Sequence, residues 1–187
     1  MTEQLLVLEI GGGPKPQAKP IWPDAVIETM DADEKYNPTY LHNAVTMPDE
    51  LANRYDHVLA SHVLEHFPWF MTDKVLLEWK KVVKPGGYLH VIVPSLEWAA
   101  KQILSEHPSK AIYPHLYAGQ TTQYDYHLSG FMMRSLRSIF DIVGMAVVRA
   151  RSGAYTIKVV GELMEAEQHY ICGQKKVSDD NISRSDA

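Results

Sequence analysis

Residues 4–13 read Gln4-Leu5-Leu6-Val7-Leu8-Glu9-Ile10-Gly11-Gly12-Gly13, a mostly apolar run that stops abruptly at three glycines. Successive rather than alternate apolar positions mark a strand buried on both faces, and the glycines mark the turn that ends it. The pattern recurs downstream. A second short strand is expected over Ala25–Met30, ending in the acidic cluster Asp31, Asp33 and Glu34, and a weaker one over Tyr40–Val45. Tyr55–Ser61 and Tyr88–Val93 read as further buried strands. Between them a helix is expected from Thr72, its N-cap, with Val75, Leu76, Trp79 and Val83 at helical spacing, ending in a turn at Lys84-Pro85-Gly86-Gly87. Strands alternating with helices imply a parallel sheet with right-handed crossovers and both faces covered. The fold class is therefore α/β.

Pro14, Pro16, Pro20 and Pro23 crowd the first crossover and predict a loop there. Pro94-Ser95 introduces a helix from Leu96 to about Glu106, and His107–Gly130 reads as a long loop rich in tyrosine and histidine. A last amphipathic helix runs from Phe131 to about Val143 and stops at Gly144, with Met132 turned inward. Two strands near Ala146–Arg151 and Gln168–Gly173 close the chain, while Tyr155–Met164 is open between strand and helix. The expectation is one domain over residues 1–176, followed by a disordered polar tail at 177–187.

The 187 residues carry 18 Lys and Arg against 23 Asp and Glu, a formal net charge of -5 that attracts neither bulk nucleic acid nor an anionic membrane. The single cysteine, Cys172, forms no internal disulfide and is expected to be buried in a strand. The amino terminus lacks the charge and apolar length of a signal peptide or a membrane span, so a cytoplasmic protein is expected.

Glycines after the first strand let a ligand approach the main chain, at the sheet end where open α/β folds bind ligands. Asp31 lies 22 residues after Glu9 and closes the next strand, where an acid suits ribose hydroxyls. Positions 11, 13 and 16 are Gly, Gly and Pro, so a dinucleotide fingerprint is not met, and no phosphate-binding loop motif occurs. A nucleoside without phosphate is the ligand class that survives.

The strings VLEIGGGPKP, YDHVLASHVLEHF and LLEWKKVVKPGGYLHVIVP resemble, in order and spacing, three signature segments of class I S-adenosylmethionine-dependent methyltransferases, especially small ones of the methyltransferase type 11 kind. The resemblance spans roughly residues 4–175 and implies a doubly wound, mostly parallel sheet of seven strands, the last antiparallel, with helices on both faces. It implies S-adenosylmethionine as cofactor, with Glu9, Gly11 and Gly13 around its methionine part, Asp31 on the ribose, and Ser61 and His62 after the fourth strand. Asn43 falls where the family often has an aspartate contacting the adenine amino group. Lys15 and the prolines depart from the pattern, replacing a common third glycine and the first helix.

The implied activity is methyl transfer to a small molecule or sugar, with His62 and His127 as candidate proton acceptors. His127 lies in Tyr124-Asp125-Tyr126-His127, where resembling proteins often carry a histidine over the acceptor; the alternative is that the tyrosines pack the loop onto the core while Asp125 and His127 cap or pair with each other. His62-Val63-Leu64-Glu65-His66 also spells the inverted zinc-protease pattern, whose histidines would share one face of a helix. A zinc hydrolase and an inactive cofactor-binding scaffold are thus the competing readings, and the favoured one carries no metal. His66 is otherwise read as a partly buried histidine near the sheet edge. Phe67, Trp69 and Phe70 are expected to anchor a loop to the core, and Lys80, Lys81 and Lys84 to form a solvated face.

Overall fold

Alternation along β1 (Leu6–Ile10) sends Leu8 and Ile10 to one face of the sheet and Val7 and Glu9 to the other, and all four are buried. Burial on both faces is what the apolar run requires. In the computed structural model of the chain, residues 4–159 and 162–177 are described. The elements follow as α1 (Ala18–Ile21), β2 (Val26–Asp31), β3 (Tyr40–Leu41), β4 (Tyr55–Ser61), α2 (Thr72–Val82), β5 (Val83–Pro94), α3 (Leu96–Ile103), α4 (Ile112–Tyr117), α5 (Met133–Ile142), β6 (Met145–Val159) and β7 (Glu162–Lys175). They form a seven-stranded sheet in the order β3-β2-β1-β4-β5-β7-β6. Strands β1 to β5 pair in parallel, and β7 runs antiparallel to both β5 and β6.

One face of the sheet carries the larger core, in which Val75, Leu76 and Trp79 of α2 and Leu136 and Phe140 of α5 pack against strand residues such as Leu8, Val58 and Val91. The opposite face buries Val7 and Leu59 under Ala18 of α1 and Trp22. Beside them the rings of Trp22, His57 and His90 lie about 5 Å apart.

The first crossover is not wholly a loop. Glu9 accepts the amide hydrogens of Gln17 at 2.6 Å and Ala18 at 2.8 Å, which organises the single turn α1, and Pro20 is tolerated because it sits within that first turn. Thr72 opens α2 but does not cap it: its hydroxyl donates to the Trp69 carbonyl at 2.8 Å, and Met71 is the N-cap. Lys84–Gly87 lie inside β5 rather than in a turn after α2. Tyr55 pairs with Val83 and His57 with Tyr88, so these residues bulge out of register, with Gly86 at φ +79°.

The loop expected over residues 107–130 contains α4, and α3 stops at Ile103, short of Glu106. The last two strands are far longer than expected and extend through residues 155–159 and 162–164. Trp69 and Phe70 stand 75% and 70% exposed, packing edge to face on each other, and only Phe67 reaches the core, against Trp79. Lys81 and Lys84 pair with Asp49 and Asp56 rather than facing solvent alone. Met132 is half-buried, and Cys172 is buried in β7, where burial pushes its thiol above the usual range. Of the expected polar tail only Val177 belongs to the described residues.

Candidate active site

The carboxyl ends of β1, β2 and β4 converge on two clefts. Gly11 follows β1 with φ +66°, donates its amide to the Met30 carbonyl at 2.7 Å, and leaves no room for a side chain: a Cβ there would meet Val63 Cγ2 at 2.4 Å. Gly13, at φ +52°, donates to Asp31 Oδ2 at 3.0 Å, and Asp33 donates to Oδ1 at 2.9 Å. Each carboxylate oxygen can accept a further hydrogen bond. Nothing fills the space beside Gly13 where a Cβ would project. Asp31, Gly11, Gly13, Ala44, Val63 and Tyr36 line a cleft of about 360 Å³. An acid held in place by main-chain amides, beside backbone that a ligand can approach closely, fits the ribose of a nucleoside cofactor.

A second cleft, of about 640 Å³, is lined by Ser61, Lys15, Asp125, His127 and Gln168 among others, and shares Gly11, His62, His66 and Asp125 with the first. His62 follows β4 with φ +57° and donates its amide to the Ile92 carbonyl at 2.8 Å, which continues the β4–β5 pairing by one bond. Its ring reaches Gln168 Oε1 at 3.0 Å from Nε2, and Nδ1 lies 3.3 Å from Glu65 Oε1. Burial lowers the affinity of His62 for its proton, but neighbouring Glu65 outweighs it and holds the pKa above the ordinary histidine value. Burial pushes the Glu65 carboxyl upward, and His62 reverses this and keeps it below the usual range, with His66 and His127 assisting. His127 is held low by burial against the pull of Glu65. The Glu9 carboxyl is raised by burial, partly offset by the Gln17 and Ala18 amides.

The structure thus places Gly11, Gly13 and Asp31 around one cleft and Glu9, Gly11, Ser61, His62 and His127 around the other. Both Glu9 oxygens accept main-chain amides of the first crossover, so this carboxylate shapes the cleft wall. Asn43 is not brought to the nucleoside-sized cleft. It lines an adjoining depression with His42 and Thr46, which meets that cleft at Ala32 and Tyr124, and its Oδ1 accepts the Val45 amide, while neighbouring Ala44 lines the cleft itself. The inverted zinc-protease geometry does not form: His62 lies outside any helix, and Leu64–His66 is a single 3-10 turn. Asp125 pairs within its loop, accepting from Thr121 and Gly119, as the alternative reading of that segment holds, whereas His127 turns away from it and faces Glu65. Sequence reasoning missed Gln168, whose position beside His62 follows from the β5–β7 register, and Val63, whose contact with Gly11 no local pattern signals.

Residues 21–91 match the family model described as a methyltransferase domain. No curated protein matches the chain. Among solved structures, an S-adenosylmethionine-dependent methyltransferase from Methanosarcina mazei superposes with a TM-score of 0.68 at 15% identity, over 95% of this chain and 95% of that one. A methyltransferase described as putative, from Bacillus halodurans, gives 0.68 at 12% identity over 94% of each chain. The 1,6-didemethyltoxoflavin-N1-methyltransferase of Burkholderia thailandensis, solved with 1,6-didemethyltoxoflavin and S-adenosylhomocysteine bound, gives 0.60 at 12% identity over 93% of this chain and 72% of that one.

Proposed function

We propose that the chain is a class I S-adenosylmethionine-dependent methyltransferase, a reading supported by the shared fold and the methyltransferase-domain match over residues 21–91, and that it methylates a small polar molecule or sugar held in the larger cleft. The observation that carries this reading is the meeting of the two clefts at Gly11 and His62, one offering the Asp31 carboxylate and the other a polar chamber lined by Ser61, Lys15 and Gln168.

The cofactor supplies an activated methyl group on a sulfonium, so the protein has mainly to align an acceptor and exclude water. Asp31 would hold the ribose, and the backbone of Gly11 and Gly13 would lie against the rest of the cofactor. Ser61 and His62 would stand between cofactor and acceptor. His62 and His127, which line the larger cleft, would be placed to receive the acceptor's proton where the nucleophile is a hydroxyl or an ammonium. The toxoflavin enzyme acts on a small heterocycle, and its fold is shared at 12% identity, which is consistent with a small acceptor here. The 113–127 segment supports the same reading, since α4 and the turn after it place Pro114, Ala118 and Gly119 over the larger cleft.

The test is calorimetric titration of S-adenosylhomocysteine into the wild type and Asp31→Ala, with folding checked by circular dichroism. Loss of a charged hydrogen bond of about 1.5–3 kcal/mol predicts roughly a 10- to 100-fold weaker Kd in the variant. Failure of folded wild type to bind the ligand would reject the reading, and binding without transfer to any acceptor would favour the inactive cofactor-binding scaffold.

A further inference from the structure

Glu65 is a buried carboxylate at 1% exposure whose Oε1 pairs with His62 Nδ1 at 3.3 Å, while Oε2 has no hydrogen-bond partner among the described residues. Two further histidines, His66 and His127, each bring a ring nitrogen close to the same carboxylate. His66 places Nδ1 3.0 Å from the Tyr126 carbonyl, and His127 places Nδ1 3.0 Å from the His115 carbonyl. A carbonyl oxygen can only accept, so each Nδ1 carries a hydrogen, which leaves Nε2 as the candidate ligand atom of each ring. His127 Nε2 stands 3.8 Å from Glu65 Oε1. One ligand atom from each of Glu65, His66 and His127 lies within 4.8 Å of the others. A buried carboxylate and two imidazole rings thus meet at one place, a donor set able to hold a cation.

We propose that Glu65, His66 and His127 bind a divalent first-row transition cation such as zinc, with the remaining coordination position open to the acceptor cleft. Two imidazoles and one carboxylate suit zinc or a related ion rather than magnesium or calcium, which prefer oxygen ligands. Ligand atoms of a tetrahedral zinc site stand about 3.4 Å apart for bonds of roughly 2.1 Å, so small side-chain movements close the site. The backbone carbonyls behind both histidines are the arrangement that fixes ring orientation in metal centres. Glu65 and His66 are supplied by the 3-10 turn after β4, and His127 by the segment before α5, so the ion would tie the acceptor-covering segment to the sheet. This is not the zinc-hydrolase pattern, because His62 is replaced by His127 as the second imidazole. The inference rests on the methyltransferase reading for its role: an oxygen or nitrogen acceptor bound to the cation becomes more acidic, with His127 acting as ligand rather than as proton acceptor.

The experiment uses full-length protein stripped with chelator and dialysed, then titrated with Co²⁺, whose visible absorption reports four-coordinate nitrogen and oxygen ligation. Wild type, His66→Ala and Glu65→Gln are compared, and S-adenosylhomocysteine is titrated into the same samples. His66 is half-buried at the cleft, so His66→Ala keeps the test usable if Glu65→Gln fails to fold. The expected result is one Co²⁺ per chain, displaced by Zn²⁺. The affinity should fall more than about 100-fold in His66→Ala, beyond the roughly 10- to 100-fold typical of losing a partner behind a ligand. Absence of saturable Co²⁺ binding in wild type that binds S-adenosylhomocysteine would overturn the site and leave the methyltransferase reading intact. Binding undiminished in His66→Ala would overturn the ligand assignment. Co²⁺ binding by wild type that ignores S-adenosylhomocysteine would uphold the site and overturn its role in methyl transfer.

Discussion

Replacing Gly11 by alanine introduces two separable costs. At φ +66° an L-residue is strained by about 1–2 kcal/mol, and the new Cβ would stand 2.4 Å from Val63 Cγ2, inside any real contact distance. Relieving that overlap costs typically about 1–3 kcal/mol, so Gly11→Ala is expected to lose roughly 3 kcal/mol in all, a large share of the 5–15 kcal/mol typical of a domain. Val63 lines the nucleoside-sized cleft, so its displacement should also weaken S-adenosylhomocysteine, by about tenfold or more. Urea denaturation and calorimetry read the two effects. The clash is isolated by a double-mutant cycle, because Val63→Ala removes the methyl group that the Cβ introduced by Gly11→Ala would strike. The double variant should be more stable than the sum of the single changes by about 1–2 kcal/mol, with only the φ penalty remaining. A single Gly11→Ala variant within about 0.5 kcal/mol of wild type, or strict additivity in the cycle, would refute the reasoning.

Two further predictions concern pH. His90 is buried in the ring cluster with Trp22, His57 and Tyr170, and burial, with His57 adding to it, pushes its pKa from 6.5 down to about 4. The unfolded chain therefore gains this proton first. Stability should fall as pH drops from about 6.5 towards 4, by at most roughly 3 kcal/mol from this group, and the slope of urea stability against pH should flatten in His90→Gln; an unchanged slope would rule the cause out. Glu28 accepts from Arg54 and Tyr55 at 2.6 Å and from Tyr40 at 2.9 Å, and although burial raises its carboxyl, these donors outweigh it and hold the pKa below 4.5. The stabilisation is thus present above the ordinary carboxylate pKa and lost as pH falls through the lowered one. Glu28→Gln should cost about 1–3 kcal/mol near neutral pH and much less at about pH 3, and a cost independent of pH would argue against an ionic role.

The order of elements was legible because each depends on a local pattern. The mostly apolar run before Gly11, the helical spacing of Val75, Leu76 and Trp79, and the stop at Gly144 report burial on two faces, on one face, and a left-handed terminus at φ +72°. Gly11, Gly13 and Asp31 could be read together because they sit at the ends of adjacent strands, and a strand end is visible in one dimension. Trp69 and Phe70 show the limit: hydrophobic character alone does not say whether a turn led by Pro68 aims a ring inward or outward.

What the amino-acid sequence determined by itself was therefore the α/β order of elements and the acid-and-glycine edge of the cleft beside β1 and β2, because local periodicity and turn chemistry act over a few residues. The tertiary structure alone decided that Asn43 lies in a depression adjoining that cleft, that Gln168 reaches His62 across 106 positions, and that Glu65 meets His127 as well as His62 while His62 stays outside the 3-10 turn of Glu65 and His66. Those relations depend on strand register and on the path of the segment before α5 over the sheet, and sequence spacing carries no information about the distance between residues that only the sheet brings together.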